Sequence, residues 1–195
     1  MTAPRTFQRL AVYCGSSTHT HPDYLVGAAD VGRALAAAGI GVVYGGGRVG
    51  LMGAVADAAL AAGCEVIGVI TSKLLALEVG HERLSERFVV PTMHARKTKM
   101  ADLADGFIAL PGGLGTFEEL FEVATWTQLN DHMKPAGILN MRGYYDQLLA
   151  FLARAADEGF IRAAHREIIS SADDLPTLLE RMATADLPVL GTWRP

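Results

Sequence analysis

Apolar positions along this chain follow two alternating rhythms. Short apolar runs, each ending at a glycine, a proline or small polar residues, predict buried strands over Leu10 to Cys14, Ile40 to Tyr44, Glu65 to Ile70, Arg87 to Val90, Phe107 to Leu110 and Pro135 to Asn140. Between them, apolar residues recur with a period near 3.6. That spacing predicts helices from Pro22 to about Ala38, Leu51 to Ala62, Met93 to Ala104, Phe117 to about Leu129, Tyr144 to Glu158 and Asp173 to Ala183. Thr71 to Ser85, which contains Glu78, Gly80 and His81, is less regular and reads as a functional loop or a broken helix over a site. The tail from about residue 186 reads as irregular. Strands alternating with helices imply parallel βαβ units. The expectation is therefore an α/β fold over residues 1–195 as a single domain, with a doubly wound, mostly parallel sheet and helices on both faces.

Three of the predicted strands run directly into small-residue loops: Gly15-Ser16-Ser17, Gly45-Gly46-Gly47-Arg48-Val49-Gly50, and Pro111-Gly112-Gly113-Leu114-Gly115. In an open doubly wound sheet, ligands bind beyond the carboxyl ends of the strands, so all three loops face one crevice. Glycines let backbone N–H groups approach an anion, and a following helix adds unpaired N–H groups and partial positive charge. A phosphorylated ligand suits that edge. Gly45-x-Gly47-x-x-Gly50 has the letters of a dinucleotide fingerprint, but the next strand ends Val69-Ile70-Thr71-Ser72 and lacks the acid that would hold the ribose hydroxyls. No Gly-Lys-Ser/Thr sequence supports a triphosphatase loop.

Two further features admit more than one reading. Thr116 and Glu119 have the spacing of a capping box, in which the hydroxyl caps the helix and the carboxylate returns to the Thr116 N–H; alternatively Glu119 faces a ligand. Arg96 and Lys97 fall in the first turn of a predicted helix, where the macrodipole disfavours cations. Either an anion, such as a bound phosphate or Glu119, compensates them, or they form a solvated basic face with Lys99.

The net charge of −4 and the lack of a basic run argue against a nucleic-acid surface. No apolar stretch suits a signal peptide or a membrane span, and Cys14 and Cys64 read as reduced thiols, so a cytoplasmic protein without membrane partners is expected. The histidines are scattered, and neither a metal nor a redox cofactor is expected.

Met93-His94-Ala95-Arg96-Lys97 together with Pro111-Gly112-Gly113-Leu114-Gly115-Thr116-Phe117-Glu118-Glu119 resembles the paired signature of the "lonely guy" family of cytokinin riboside 5′-monophosphate phosphoribohydrolases. The family pattern is an Arg-Lys pair followed by Pro-Gly-Gly-x-Gly-Thr-x-x-Glu, and the likeness runs from the Cys14 loop to about Asp146. Relatives long carried the label lysine decarboxylase, but no lysine here shows the context of a pyridoxal Schiff base. The resemblance implies a Rossmann-like homodimer that releases a free base and ribose 5-phosphate from a nucleoside 5′-monophosphate, either a cytokinin nucleotide or adenosine monophosphate. It places Arg96 and Glu119 on the catalytic pair and Gly113, Gly115 and Thr116 on the phosphate loop, with Lys97, Glu78 and Thr125 as further substrate contacts. Gly15, Ser16, Gly46 and Gly112 complete the expected substrate-binding loops. Ala76-Leu77 stands where plant-type members have Pro-Arg, which separates this chain from them at the Glu78 position. Met93, Phe121 and Trp126 are candidates for a base pocket. A non-catalytic carrier of a nucleotide-like cofactor is the competing class.

Overall fold

The computed structural model describes residues 4–77 and 80–188. In chain order the elements are β1 (Arg9–Tyr13), α1 (Pro22–Ala37), β2 (Gly41–Tyr44), α2 (Gly50–Ala61), β3 (Val66–Thr71), α3 (Ser72–Leu77), β4 (Glu86–Val90), α4 (Met93–Leu103), β5 (Gly106–Ala109), α5 (Leu114–Leu129), β6 (Ala136–Leu139), α6 (Asp146–Asp157), β7 (Ile169–Ala172) and α7 (Leu175–Thr184). Short 3-10 turns, Met141–Gly143 and Ala163–His165, flank α6.

The strands form one seven-stranded sheet in the order β4-β3-β2-β1-β5-β6-β7. Every pairing in it is parallel. From β1 the chain winds outward through β2, β3 and β4, then returns to β1's other side with β5 and winds outward again. The reversal point therefore lies between the carboxyl ends of β1 and β5, where Leu10↔Gly106 through Tyr13↔Ala109 are in register. This is the doubly wound, Rossmann-like α/β fold expected from the sequence.

Alternation along the strands divides the core between the two faces. Leu10 and Val12 of β1 join Val31 and Leu35 of α1, Leu51 and Val55 of α2, and Leu178 of α7 on one face. Ala11 and Tyr13 point the other way, toward Met100 of α4 and Leu120 and Val123 of α5.

Two elements, β7 and α5, depart from the sequence expectation, and the irregular segment takes the broken-helix one of its two readings. β7 is a strand that periodicity does not mark, because Ile169-Ser170-Ser171-Ala172 sits half-buried at the sheet edge and needs little apolar character. Within the irregular segment, Ser72–Leu77 forms a short helix. Helix α5 begins at Leu114, two residues before Thr116, with Gly113 in the N-cap position. Thr116 therefore lies inside the helix, and the capping box is not formed.

Candidate active site

At the reversal point the Gly15 loop and the Pro111–Gly115 loop touch. Gly15 N–H donates to the Pro111 carbonyl at 3.0 Å. Gly112 must be a glycine here: a Cβ on it would lie 2.1 Å from Thr116 Oγ1 and 2.9 Å from the Gly15 nitrogen. Gly113 and Gly115 face open space on the outer side of the same loop. The backbone of Ser16 packs against Gly50 at the start of α2. Gly46 accepts the His81 N–H at 3.0 Å, and Gly47 bridges to Gly80, which ties the irregular segment to the second glycine loop. Glu78 lies outside the described residues.

Helix α4 delivers Arg96 beneath these loops. Thr92 caps the helix through its hydroxyl, accepting Ala95 N–H at 3.1 Å, and this sets its first turn against the ends of β2 and β3. The buried Arg96 guanidinium donates from Nε to Val69 O at 2.9 Å, from Nη2 to Gly45 O at 3.3 Å and from Nη1 to Glu119 Oε1 at 3.1 Å. A Cβ at position 45 would fall 2.0 Å from Nη2, so the second glycine loop exists partly to admit the arginine. Three acceptors on three different segments, Val69 O, Gly45 O and Glu119 Oε1, leave the guanidinium one orientation.

Glu119 is buried on the facing side of α5. Its return to the Thr116 N–H, one of the two sequence readings, does not occur; the carboxylate turns to Arg96 instead. Burial pushes the Glu119 carboxyl above the ordinary glutamate value of 4.5, Arg96 and Lys97 oppose that shift, and Glu118 and Glu122 add to it. The Glu119 charge also reaches the end of β1, where burial first and Glu119 second push the Tyr13 hydroxyl and the Cys14 thiol upward.

Lys97, the next residue on α4, is equally buried but bonds elsewhere. Its ammonium donates to Glu118 and, at 2.9 Å, to Glu122. Burial opposes the Lys97 charge, and the hydrogen bonds from these two carboxylates outweigh it, so the lysine stays protonated. The anion that the sequence demanded for the Arg-Lys pair is thus supplied from within, by carboxylates on two successive turns of α5.

Thr125 lies six residues beyond Glu119, about 9 Å along α5. Its hydroxyl donates back to Phe121 O at 2.7 Å. With Phe121, Leu149, Leu152 and Ile168 it lines a groove of about 420 Å³ between α5 and α6, so the structure does not bring Thr125 to the glycine loops. Trp126 packs edge-on to the His132 ring, Phe121 lines the groove, and Met93 is exposed at the start of α4.

Residues that the sequence reading passed over complete the loop. Tyr144 donates its hydroxyl to Gly112 O at 2.6 Å, and Tyr145 donates to Leu110 O at 2.7 Å. Both follow β6 at the carboxyl edge, and that placement was the available signal. Their helical reading in the sequence concealed it.

Comparison with known proteins places the chain in a family and its fold among solved structures. Residues 52–182 match the sequence model of a family described as "possible lysine decarboxylase". Cytokinin riboside 5′-monophosphate phosphoribohydrolase LOG2 of Arabidopsis thaliana is 48% identical over 174 residues, covering 89% of this chain and 82% of its own. Its paralogue LOG7 is 48% identical over 176 residues, covering 90% and 81%. Among solved structures, the molybdenum cofactor carrier protein from Chlamydomonas reinhardtii superposes with a TM-score of 0.64 over 89% of this chain and 91% of its own. At 20% identity it shares the fold.

Proposed function

The chain belongs to the cytokinin riboside 5′-monophosphate phosphoribohydrolase family, and from that membership we propose that it hydrolyses the N-glycosidic bond of cytokinin riboside 5′-monophosphates, of adenosine monophosphate, or of both. The products are the free base and ribose 5-phosphate. The observation that carries the residue assignment is the buried Arg96–Glu119 pair at 3.1 Å, set beneath two glycine loops at the reversal point of the sheet.

The phosphate lies on the loop Gly112, Gly113, Gly115 and Thr116, where unpaired N–H groups at the start of α5 meet it, with Gly15, Ser16 and Gly46 closing the crevice. Its binding energy positions the sugar. Breaking the bond between the anomeric carbon and the base builds oxocarbenium character on the sugar. The Glu119 carboxylate stabilises that charge and orients or deprotonates the water that adds to the anomeric carbon, while the departing base takes up a proton. Arg96 stays cationic and holds Glu119 in place; Lys97 acts on Glu119 through its own carboxylate partners. Glu78 contributes a further substrate contact, as does Thr125 if the ligand extends toward the groove.

We also infer a homodimer, supported by the apolar groove between α5 and α6 and by Phe151, which α6 exposes at 64%. The free thiols of Cys14 and Cys64 suit a reducing compartment such as the cytoplasm.

The test is chromatography of purified protein after incubation with adenosine monophosphate and, separately, with N6-isopentenyladenosine monophosphate. Release of base and ribose 5-phosphate is expected, and the favoured nucleotide identifies the base. Glu119→Gln should lower turnover by at least about a hundredfold. Wild-type protein that holds either nucleotide intact after long incubation overturns the assignment in favour of a carrier.

A further inference from the structure

Four successive carbonyls at the Pro111 loop, those of Leu110, Pro111, Gly112 and Gly113, each accept a hydrogen bond. The donors are Tyr145 Oη at 2.7 Å, Gly15 N at 3.0 Å, Tyr144 Oη at 2.6 Å and Phe117 N at 3.1 Å. A trans peptide directs its C=O and N–H to opposite sides. Fixing the carbonyls therefore also fixes the N–H groups of Gly112, Gly113 and Leu114, turned away from those donors. None of these three N–H groups has an acceptor among the described residues.

The four donors are not equivalent. The Leu110 bond is buried under Tyr145, the Pro111 bond joins backbone to backbone, and the Gly113 bond is the first of helix α5. The Gly112 bond alone comes from a partly exposed side chain, since Tyr144 is 41% exposed. It also acts on the peptide that most needs it. Gly112–Gly113 has no side chain on either flank, so it turns over at the least steric cost. Turned over, it would present a carbonyl oxygen where an anion must sit. The Tyr144 ring is itself held, edge-on to Tyr145 at 5.0 Å and to Tyr24 of α1 at 5.9 Å.

We propose that Tyr144 is a positioning residue for the nucleotide phosphate, its hydroxyl holding the Gly112–Gly113 peptide with the Gly113 N–H turned to the ligand. The proposal rests on the phosphate-bearing substrate argued above, and it adds a residue from the far side of β6 to the machinery of that loop.

Tyr144→Phe keeps the ring contacts and removes only the donor. The expected result is a KM for the hydrolysed nucleotide raised about tenfold, with kcat within about twofold and an unchanged melting temperature. The affinity for ribose 5-phosphate, measured by calorimetry, should fall about tenfold in parallel. A variant with wild-type KM and wild-type ribose 5-phosphate affinity overturns the proposal, as does a fall in kcat at constant KM. The calorimetric arm separates this proposal from the reaction itself. If the wild type releases no base, weaker ribose 5-phosphate binding in the variant still supports Tyr144, whereas equal binding, or binding by neither protein, overturns it.

Discussion

Helices α4 and α5 are joined by two charged clusters that sit one residue apart and are built on opposite plans. In the first, one cation meets one carboxylate, and backbone carbonyls of Val69 and Gly45 take the remaining contacts of Arg96. In the second, Lys97 is outnumbered by Glu118 and Glu122, and Glu122 Oε2 is buried with no hydrogen-bond partner among the described residues. The first plan immobilises a cation and leaves its carboxylate free to act elsewhere. The second leaves an excess of negative charge close to Glu119. The lesson is that burial and pairing look alike for Arg96 and Lys97, yet one cluster aims a carboxylate and the other tunes its proton affinity.

Arg96→Met strikes the aimed cluster and should have the largest effect. It strands Glu119 and two backbone carbonyls without their donor, costing about 3 to 5 kcal/mol of stability, together with a loss of turnover as severe as in Glu119→Gln. Urea unfolding measured beside turnover checks both. A stable variant with near-normal turnover would erase the distinction between the clusters.

Lys97→Met tests the tuning cluster. In the proposed role Glu119 acts as a carboxylate, and burial raises its pKa above 4.5, so the acid limb of the wild-type kcat/KM profile should lie above that value. Removing Lys97 takes away a charge that lowers the Glu119 pKa and leaves Glu118 and Glu122, which raise it. The acid limb should therefore move to higher pH, with a moderate loss of activity at neutral pH. Stability follows the same proton with the opposite sense: the folded chain holds it more tightly than the unfolded chain, so ionising Glu119 lowers stability as pH rises from 4.5 through the folded value.

Glu122→Gln should give the smallest effect and the opposite sign. It removes a charge that raises the Glu119 pKa, so the acid limb moves to lower pH, with stability changed by less than about 1 kcal/mol. Acid limbs that moved in the same direction in Lys97→Met and Glu122→Gln would show that the second cluster does not tune the first.

Much of this arrangement could be read before any coordinates. Short apolar runs ending at Gly15, Gly45 and Pro111 located the loops, because a strand that must turn at a ligand advertises it with glycine. The motifs marked Glu119 and the Arg-Lys pair, and the family resemblance singled out Glu119 and Arg96, which the structure pairs. What escaped was set by contacts between distant parts of the chain. Nothing near Thr116 reveals that Gly113 caps the helix, since a glycine N-cap in extended backbone leaves no side-chain signature. Tyr144 and Tyr145 read as the start of a helix, and their bonds to residues more than 30 positions away depend on β6 lying beside β5. β7 carries two serines and gains its place from the pairing of Ala136↔Ile169, not from its own apolarity.

The central position of β1 has a consequence for how the chain reaches this state. Its first neighbour, β2, follows after one helix, but its second, β5, begins at Gly106, 93 residues after β1 ends at Tyr13. At ribosomal rates of 5–20 residues per second the middle strand waits with an open edge for roughly 5 to 20 seconds. Until β5 arrives, the Gly15 and Pro111 loops cannot meet. The nascent amino-terminal half is therefore a half-sheet in which β1, central in the finished sheet, has one unpaired edge open to other chains.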